Sequence, residues 1–483
     1  MNTLKRFIPL FGLLALLGAG PATQPVPAVT INRRDFTIAE LRFEDAYLAH
    51  PPDDDNARAR IHRAFDEAFS LYFNAKKPEA IQALNELTDR IAPAAKDPAM
   101  AALIHSLQVR IAPAVALRSR PGIMRIRIAR MYPTDIPLPV DLHLIIRADA
   151  PQSDALLDVP VRIEAQGPPF SIARGGPSVA MGKHLVELVT STGEHYPIDS
   201  WPVVEAPLNV VRNGNQRRLG EFVPDSVDMR QALAACLSRN VLLNDQPDDN
   251  NSARYLADTL ELSRQVQSES ESIAMGRNPY GERVGDWWRA ILAGQMQIPA
   301  RVYAPAQVRQ HKPLPLVIAL QGGGEDESYF FESAGRGRIK KLADQYGFVI
   351  AAPNAVWLNN NLAGLDGIIS AMSSIYAIDL ARIYIIGHAW GANVAIQLAA
   401  RNPEKIAAIA LFSGGDFGGA KKLPRVRVYC GQANPIFAPN QARAAVQQAQ
   451  AANLPVELRS IDFAGHILIV NDQLEDAIQW LLQ

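Results

Sequence analysis

The last third of the chain, roughly residues 296–483, predicts an α/β domain with a mainly parallel sheet, preceded by an α+β part made of helical segments and a small β-sandwich. Three observations point that way. Beyond Ile298, short β-branched runs alternate with helical stretches, which calls for crossover connections and hence parallel strands. Between residues 37 and 293 the apolar period moves from helical to two and back again. The 483 residues also exceed what one hydrophobic core ordinarily serves.

The chain opens with Lys5 and Arg6, an apolar run from Phe7 to Leu17, and the small residues Gly18, Ala19, Gly20 and Ala22 around Pro21. This is the form of an export signal over residues 1–22. Its apolar run is shorter than the ~20 residues of a membrane-crossing helix, so a cleaved signal is expected rather than a retained anchor. The mature chain is then expected in the periplasm or outside the cell, with no membrane span. Residues 23–36, with Pro25 and Pro27, read as a linker.

Thr37-Ile38-Ala39-Glu40 has the form of a capping box, and Ile61, Phe65, Ala68, Phe69, Tyr72 and Phe73 recur at helical spacing, so residues 37–117 are predicted helical. The Asp53-Asp54-Asp55-Asn56 run suits a cap at the positive end of a helix better than a metal loop. From Ile123 the period becomes two, through Val140–Leu144, Val159–Ile163 and His184–Val189, and residues 120–212 are predicted to be a β-sandwich. Trp201 and Tyr196 near its end suit packing, with a carbohydrate platform as the alternative. Helical patterning returns over residues 217–293, around Met229–Leu243 and Ala253–Val266, with a loop at Asp245–Ser252.

In the last third the predicted strands are Leu316–Leu320, Phe348–Ala352, Arg382–Ile386, Ala407–Phe412, Arg425–Cys430 and Val456–Ile461. In open parallel sheets the site lies beyond the carboxyl ends of the strands. Charge excludes some functions at once: 48 Lys and Arg against 49 Asp and Glu leave no field to hold a nucleic acid. The nine histidines are scattered without HExxH spacing, so neither a metal nor a cofactor is expected. Two cysteines, Cys236 and Cys430, build no disulfide framework, and pairing or burial stays open for them.

Three strand ends carry motifs. Gln321-Gly322-Gly323-Gly324 follows the first strand, where glycines let backbone N–H groups approach a developing oxyanion. Gly387-His388-Ala389-Trp390-Gly391 follows the Arg382–Ile386 strand, with tiny residues flanking a sharp turn. Ala464-Gly465-His466 follows the last strand, and Cys430-Gly431-Gln432-Ala433-Asn434-Pro435 the one before it.

The order of these motifs resembles the secreted α/β-hydrolase esterases of the polyhydroxyalkanoate-depolymerase and feruloyl-esterase kind. The resemblance implies that Gln321–Gly324 is the oxyanion loop, with Gln321 where histidine is usual, and that residues 387–391 are the nucleophile elbow. It places the serine at Ala389, the general base at His466 and the acid of a G-x-x-D-P arrangement at Asn434. The lead-in of such esterases is also matched by Asn278–Arg283 and Arg301–Pro305. Alanine has no atom to acylate, and an amide cannot balance an imidazolium.

The expectation is a secreted esterase-like fold, catalytically impaired, that binds a small molecule or an envelope or extracellular partner. Two alternatives stand beside it: an active carboxylic ester hydrolase with an atypical nucleophile, and a cell-envelope interaction module. For the former, Ser413 and Ser328 are spare hydroxyls, Asp416 and Asp462 spare acids, and His466 alone a base for water. Serine at 389 together with aspartate at 434 is expected to restore more turnover than serine alone.

Overall fold

The computed structural model describes residues 29–92, 95–119, 122–150, 153–166, 168–177, 179–246 and 248–483. The expected export signal and residues 23–28 of the expected linker lie outside them. Helix α1 (Arg33–Ala49) starts inside the expected linker. Its cap is Asn32, whose side chain accepts from the Asp35 N–H while Asp35 accepts from the Asn32 N–H. The expected box at Thr37 and Glu40 is corrected accordingly, since both residues are buried within α1. Helices α2 (Asp55–Phe73), α3 (Lys77–Ile91) and α4 (Pro98–His105) follow, and Asp54 caps α2 by accepting from the Ala57 N–H at 2.8 Å.

Helix ends at residue 105, twelve residues short of the predicted 117, because Leu107 onward pairs in a sheet. Strands β1 (Leu107–Ala112), β3 (Ile123–Arg130) and β6 (Phe170–Gly175) form one layer. The other holds β2 (Ala116–Leu117), β8 (His195–Val204), β7 (Gly182–Thr190), β4 (Val140–Ala148) and β5 (Ala155–Ile163) in that order. Alternate residues Ile126, Ile128, Leu142, Leu144, Val159 and Val161 fill the space between. Trp201 is 2% exposed and donates from Nε1 to the Pro113 carbonyl, so it is core and not a platform.

Helices α5 (Leu208–Gly220), α6 (Val227–Val241), α7 (Ser252–Tyr255) and α8 (Thr259–Ala274) come next. The segment predicted helical to residue 293 instead ends in β9 (Gly285–Ala293), which pairs antiparallel with β10 (Met296–Ala304). A run such as Trp287–Ala293, apolar except for Arg289, carries no clear period, and its partner strand decided its conformation. These two strands edge an eight-stranded sheet in the order β16-β15-β14-β13-β11-β12-β10-β9. Strands β11 (Leu314–Leu320), β12 (Val349–Pro353), β13 (Ile378–His388), β14 (Ala408–Phe412), β15 (Arg425–Gly431) and β16 (Val456–Ile461) are mutually parallel.

Helices α9 (Tyr329–Glu332), α10 (Ala334–Tyr346), α11 (Ala355–Asn359), α12 (Gly364–Ser373), α13 (Trp390–Arg401) and α14 (Pro439–Ala451) lie in the crossovers, and α15 (Ile469–Leu482) follows the last strand. Both faces of the sheet are covered, which is why β11 and β14 are apolar throughout. One face shares a core with α6 and α8 through Met229, Cys236 and Val266. The other shares a core with α1 to α3 through Phe36, Phe43, Phe65, Phe69 and Leu84, packed with Ile350, Ile386 and Leu474. The helical segments read as separate regions in the sequence are therefore flanking layers of the sheet. Cys236 and Cys430 are free and buried.

Candidate active site

The three predicted motifs meet at the carboxyl edge of the sheet. β13 runs into α13 through Ala389, whose backbone sits at φ 48°, ψ −112°. That left-handed conformation is strained for a residue with a Cβ and is the geometry of a nucleophile elbow. The Ala389 N–H donates to the Phe412 carbonyl at 2.8 Å. A Cβ on Gly387 would lie 2.7 Å from Ala392 Cα and 2.7 Å from the Gly391 oxygen. A Cβ on Gly391 would run into the carbonyl oxygens of Leu320 and Gln321, so the elbow locks onto the oxyanion loop.

Because the atoms facing Gly387 are backbone and cannot swing aside, Gly387→Ala is expected to lower stability by about 3 kcal/mol. Gly214→Ala in α5, with open space around its Cβ, is the matched control and should cost nothing. Denaturant midpoints of the two variants check this.

The Gln321–Gly324 loop, expected to receive an oxyanion, has a donor already engaged. The Gly322 N–H, a candidate donor to an oxyanion, donates instead to Glu325 Oε2 at 3.2 Å. Gln321 is 1% exposed, and its Oε1 accepts from the Ala355 N–H, tying β11 to α11. Gly324 adopts φ +83°, and the Phe73 ring of α2 stands where a side chain on it would go. His388 donates from Nε2 to the His466 carbonyl at 3.1 Å, and its ring stacks on Tyr329 with centroids 5.3 Å apart. Trp390 opens α13 beside the elbow.

His466 is buried, and its Nδ1 has no protein partner among the described residues. Burial first, and the nearby His388 second, lower its pKa to about 3. With its pKa so low, His466 is a neutral imidazole at neutral pH, and the imidazolium that would protonate a leaving group is disfavoured. Asn434 does not touch that ring. Its Nδ2 donates to Ser413 Oγ at 3.0 Å, and its Oδ1 accepts from the N–H groups of Ile436 at 2.9 Å and Phe437 at 2.8 Å. Ser413 in turn donates to the His466 carbonyl at 2.8 Å. The acid position thus fixes a loop and, through Ser413, the backbone of His466.

The spare groups fare similarly. The Ser413 hydroxyl is committed to that carbonyl, and Ser328 Oγ lies 3.0 Å from Ser252 Oγ, with neither facing a histidine ring nitrogen. Asp416 is exposed and accepts from the Gly418 N–H, and Asp462 is exposed.

Three side chains at this centre come from α2, between 251 and 403 residues from their partners in sequence. Asp66 accepts from the His466 N–H through Oδ2 at 2.6 Å and from the Ile467 N–H through Oδ1 at 3.1 Å. His62 Nδ1 accepts from the Gly465 N–H at 2.9 Å, so its proton sits on Nε2, toward Asp472 Oδ2 at 3.1 Å and the Tyr47 hydroxyl at 3.0 Å. Phe73 lies on Gly324. Helix α2 therefore covers the His466 side of the cleft while Ala389 stays partly exposed. Glu325 and these residues carry no sequence motif, and only the helical period of α2 was legible.

A polar cavity of about 260 Å³ lies elsewhere, between α1, β1, β8 and the α7–α8 region. Its Arg34 and Arg110 are paired with Asp199, Asp249 and Asp35, and none of the three motifs lines it.

Residues 300–426 match the model of the family described as Esterase PHB depolymerase. The bifunctional acetylxylan esterase/xylanase of Neocallimastix patriciarum is 29% identical over 150 residues, which is 29% of this chain. The matched part spans 21% of that relative's length. Among solved structures, the chain is similar to an S-formylglutathione hydrolase from Agrobacterium tumefaciens at 15% identity and TM-score 0.34, covering 41% of this chain and 93% of that one. A ferulic acid esterase is similar at 15% identity and TM-score 0.35, covering 41% and 98% respectively. The parallel sheet order and the turn at its centre give the C-terminal part an α/β-hydrolase fold, and over residues 300–426 it is similar to the esterase family described as Esterase PHB depolymerase.

Proposed function

We propose that this domain is catalytically impaired and binds, at the cleft its elbow still defines, a ligand or partner that it does not hydrolyse. The observation that carries the reading is Ala389 at the strained elbow position, where acyl transfer needs an oxygen or sulfur nucleophile. Support comes from the rest of the centre. Asn434 brings no charge, His466 resists protonation, and the Gly322 N–H is held by Glu325. A site built for acyl transfer has no reason to fill its own oxyanion donor with a carboxylate.

The ligand class to screen first is an acetylated xylan, taken from the name of the similar acetylxylan esterase/xylanase; a small molecule or an envelope partner of other chemistry is the broader class. Absence of a covalent adduct with a fluorophosphonate, beside retention on an acetylated-xylan affinity matrix, is the expected pair of results. Adduct formation at Ser413 or Ser328 defeats the reading.

Export belongs to the same proposal, because the basic start, apolar run and small-residue exit of residues 1–22 have the form of a cleaved signal. Sequencing of the exported protein should begin near Thr23. A product that keeps Met1 and stays in the membrane counts against it.

A further inference from the structure

We propose that the α1–α2 hairpin is a pH-sensitive latch on the cleft, tight in acid and loosened as the carboxyl groups buried beneath it ionise. This goes beyond the reading above and does not depend on whether the cleft retains turnover. Three acids of the hairpin, Glu40, Glu44 and Asp66, are 7%, 1% and 1% exposed where α1 and α2 meet the hydrolase domain. Each touches a different part of that domain. Among the described residues, none of the three makes a salt bridge within 4.0 Å.

Glu44 Oε2 accepts from the Gly335 N–H at 3.0 Å and from Asn471 Nδ2 at 2.7 Å. Its charged surroundings are Glu40 on its own helix and Arg336 on α10, and Arg336 is already bonded to Asp45. Glu40 faces the Ser333 hydroxyl, with Glu325 and Asp326 on the oxyanion-loop side and Arg33 on α1. Tyr255 and Tyr72 also look toward it. Asp66 meets the backbone N–H groups of His466 and Ile467, with His62, His388 and Tyr329 nearby. Backbone dipoles and amides solvate these carboxylates only in part, and Glu40 adds repulsion from Glu44 and Glu325.

Burial is the largest cause in each case and raises the three groups to about 6 for Asp66, about 7 for Glu40 and about 8 for Glu44. The sign follows from linkage. A group whose pKa is higher docked than free favours docking fully below its ordinary carboxylate range, and loses that contribution as pH rises through the docked value. Docking is thus expected to be firmest near pH 4 and to weaken progressively between about pH 5 and pH 8. Loosening α2 withdraws Asp66 from His466 and Phe73 from Gly324, which opens the cleft on its covered side.

The test is hydrogen exchange of the full chain at pH 5 and pH 9, corrected for the intrinsic rate, read at residues 33–49 and 55–73 and at β13 as reference. Protection of the two helices should fall at least tenfold more than that of β13. The double variant Glu44→Gln, Asp66→Asn copies the protonated forms and should remove most of that difference. Its unchanged β13 protection at pH 5 verifies that it folds, and the single variant Glu44→Gln, expected to remove part of the difference, serves if it does not. Equal loss in helices and β13, or an undiminished difference in Glu44→Gln, overturns the latch.

Discussion

Incubated with a serine-directed fluorophosphonate, the wild-type chain is expected to gain no adduct, and to turn over p-nitrophenyl acetate no faster than His466→Ala. The probe needs an activated oxygen. At the elbow Ala389 supplies a methyl group, and the two spare hydroxyls are engaged elsewhere: Ser413 with the His466 carbonyl, Ser328 with Ser252. His466 is neutral at working pH, but general-base use of water would still require its partner to stabilise the imidazolium that forms. Burial that lowers the pKa to about 3 opposes that cation directly. Intact-mass spectrometry reads the adduct, and steady-state kinetics the turnover. Stoichiometric labelling, or a tenfold drop on removing His466, would show a working catalytic group.

Putting a serine back is expected to help only when the oxyanion donor is freed as well. Ala389→Ser adds one heavy atom at a backbone already in the elbow conformation, so the fold should survive and slow labelling should appear. Its ester turnover is expected to stay within about tenfold of wild type, because triad members act as a unit. Adding Asn434→Asp was the sequence-based remedy, since loss of the acid costs about four orders of magnitude in a working triad.

The structure revises it. Position 434 points at Ser413 and at the N–H groups of Ile436 and Phe437, not at the His466 ring. The double variant is therefore expected to gain less than tenfold over Ala389→Ser. Ala389→Ser with Glu325→Ala releases the Gly322 N–H, and one oxyanion donor is worth about 10²–10³ in turnover. That variant is expected to exceed Ala389→Ser by about a hundredfold. A larger gain from Asn434→Asp than from Glu325→Ala would restore the carboxylate at 434 as the missing element and reject the reading of Glu325.

Much of this domain was readable because its signals are local. The six parallel strands of the last third appeared as β-branched runs within a few residues of their observed bounds, since a strand buried on both faces must be apolar. The elbow was readable because only glycine tolerates backbone at the distance seen for Gly387. Where a signal was not local, the reading failed. Periodicity predicts helix over β1 and a helical end over β9, whereas pairing with β3 and β10 is what makes them strands. The expected capping box at Thr37 was displaced by Asn32 and Asp35, a pair of equal chemistry five residues upstream.

By itself, then, the sequence determined the parallel sheet, the glycine-flanked turn after β13 and the alanine at its centre, for these depend on side-chain identity and on periodicity along a few neighbouring residues. Only the tertiary structure decided what surrounds that elbow. The contact of Asp66 with His466, the capture of the Gly322 N–H by Glu325, and the turning of Asn434 toward Ser413 depend on which surfaces meet once α1 to α3 pack on the sheet. Burial sets the rest: His466 loses basicity, and Glu44 and Asp66 gain protons, because the packed helices exclude the water that would otherwise solvate their charges.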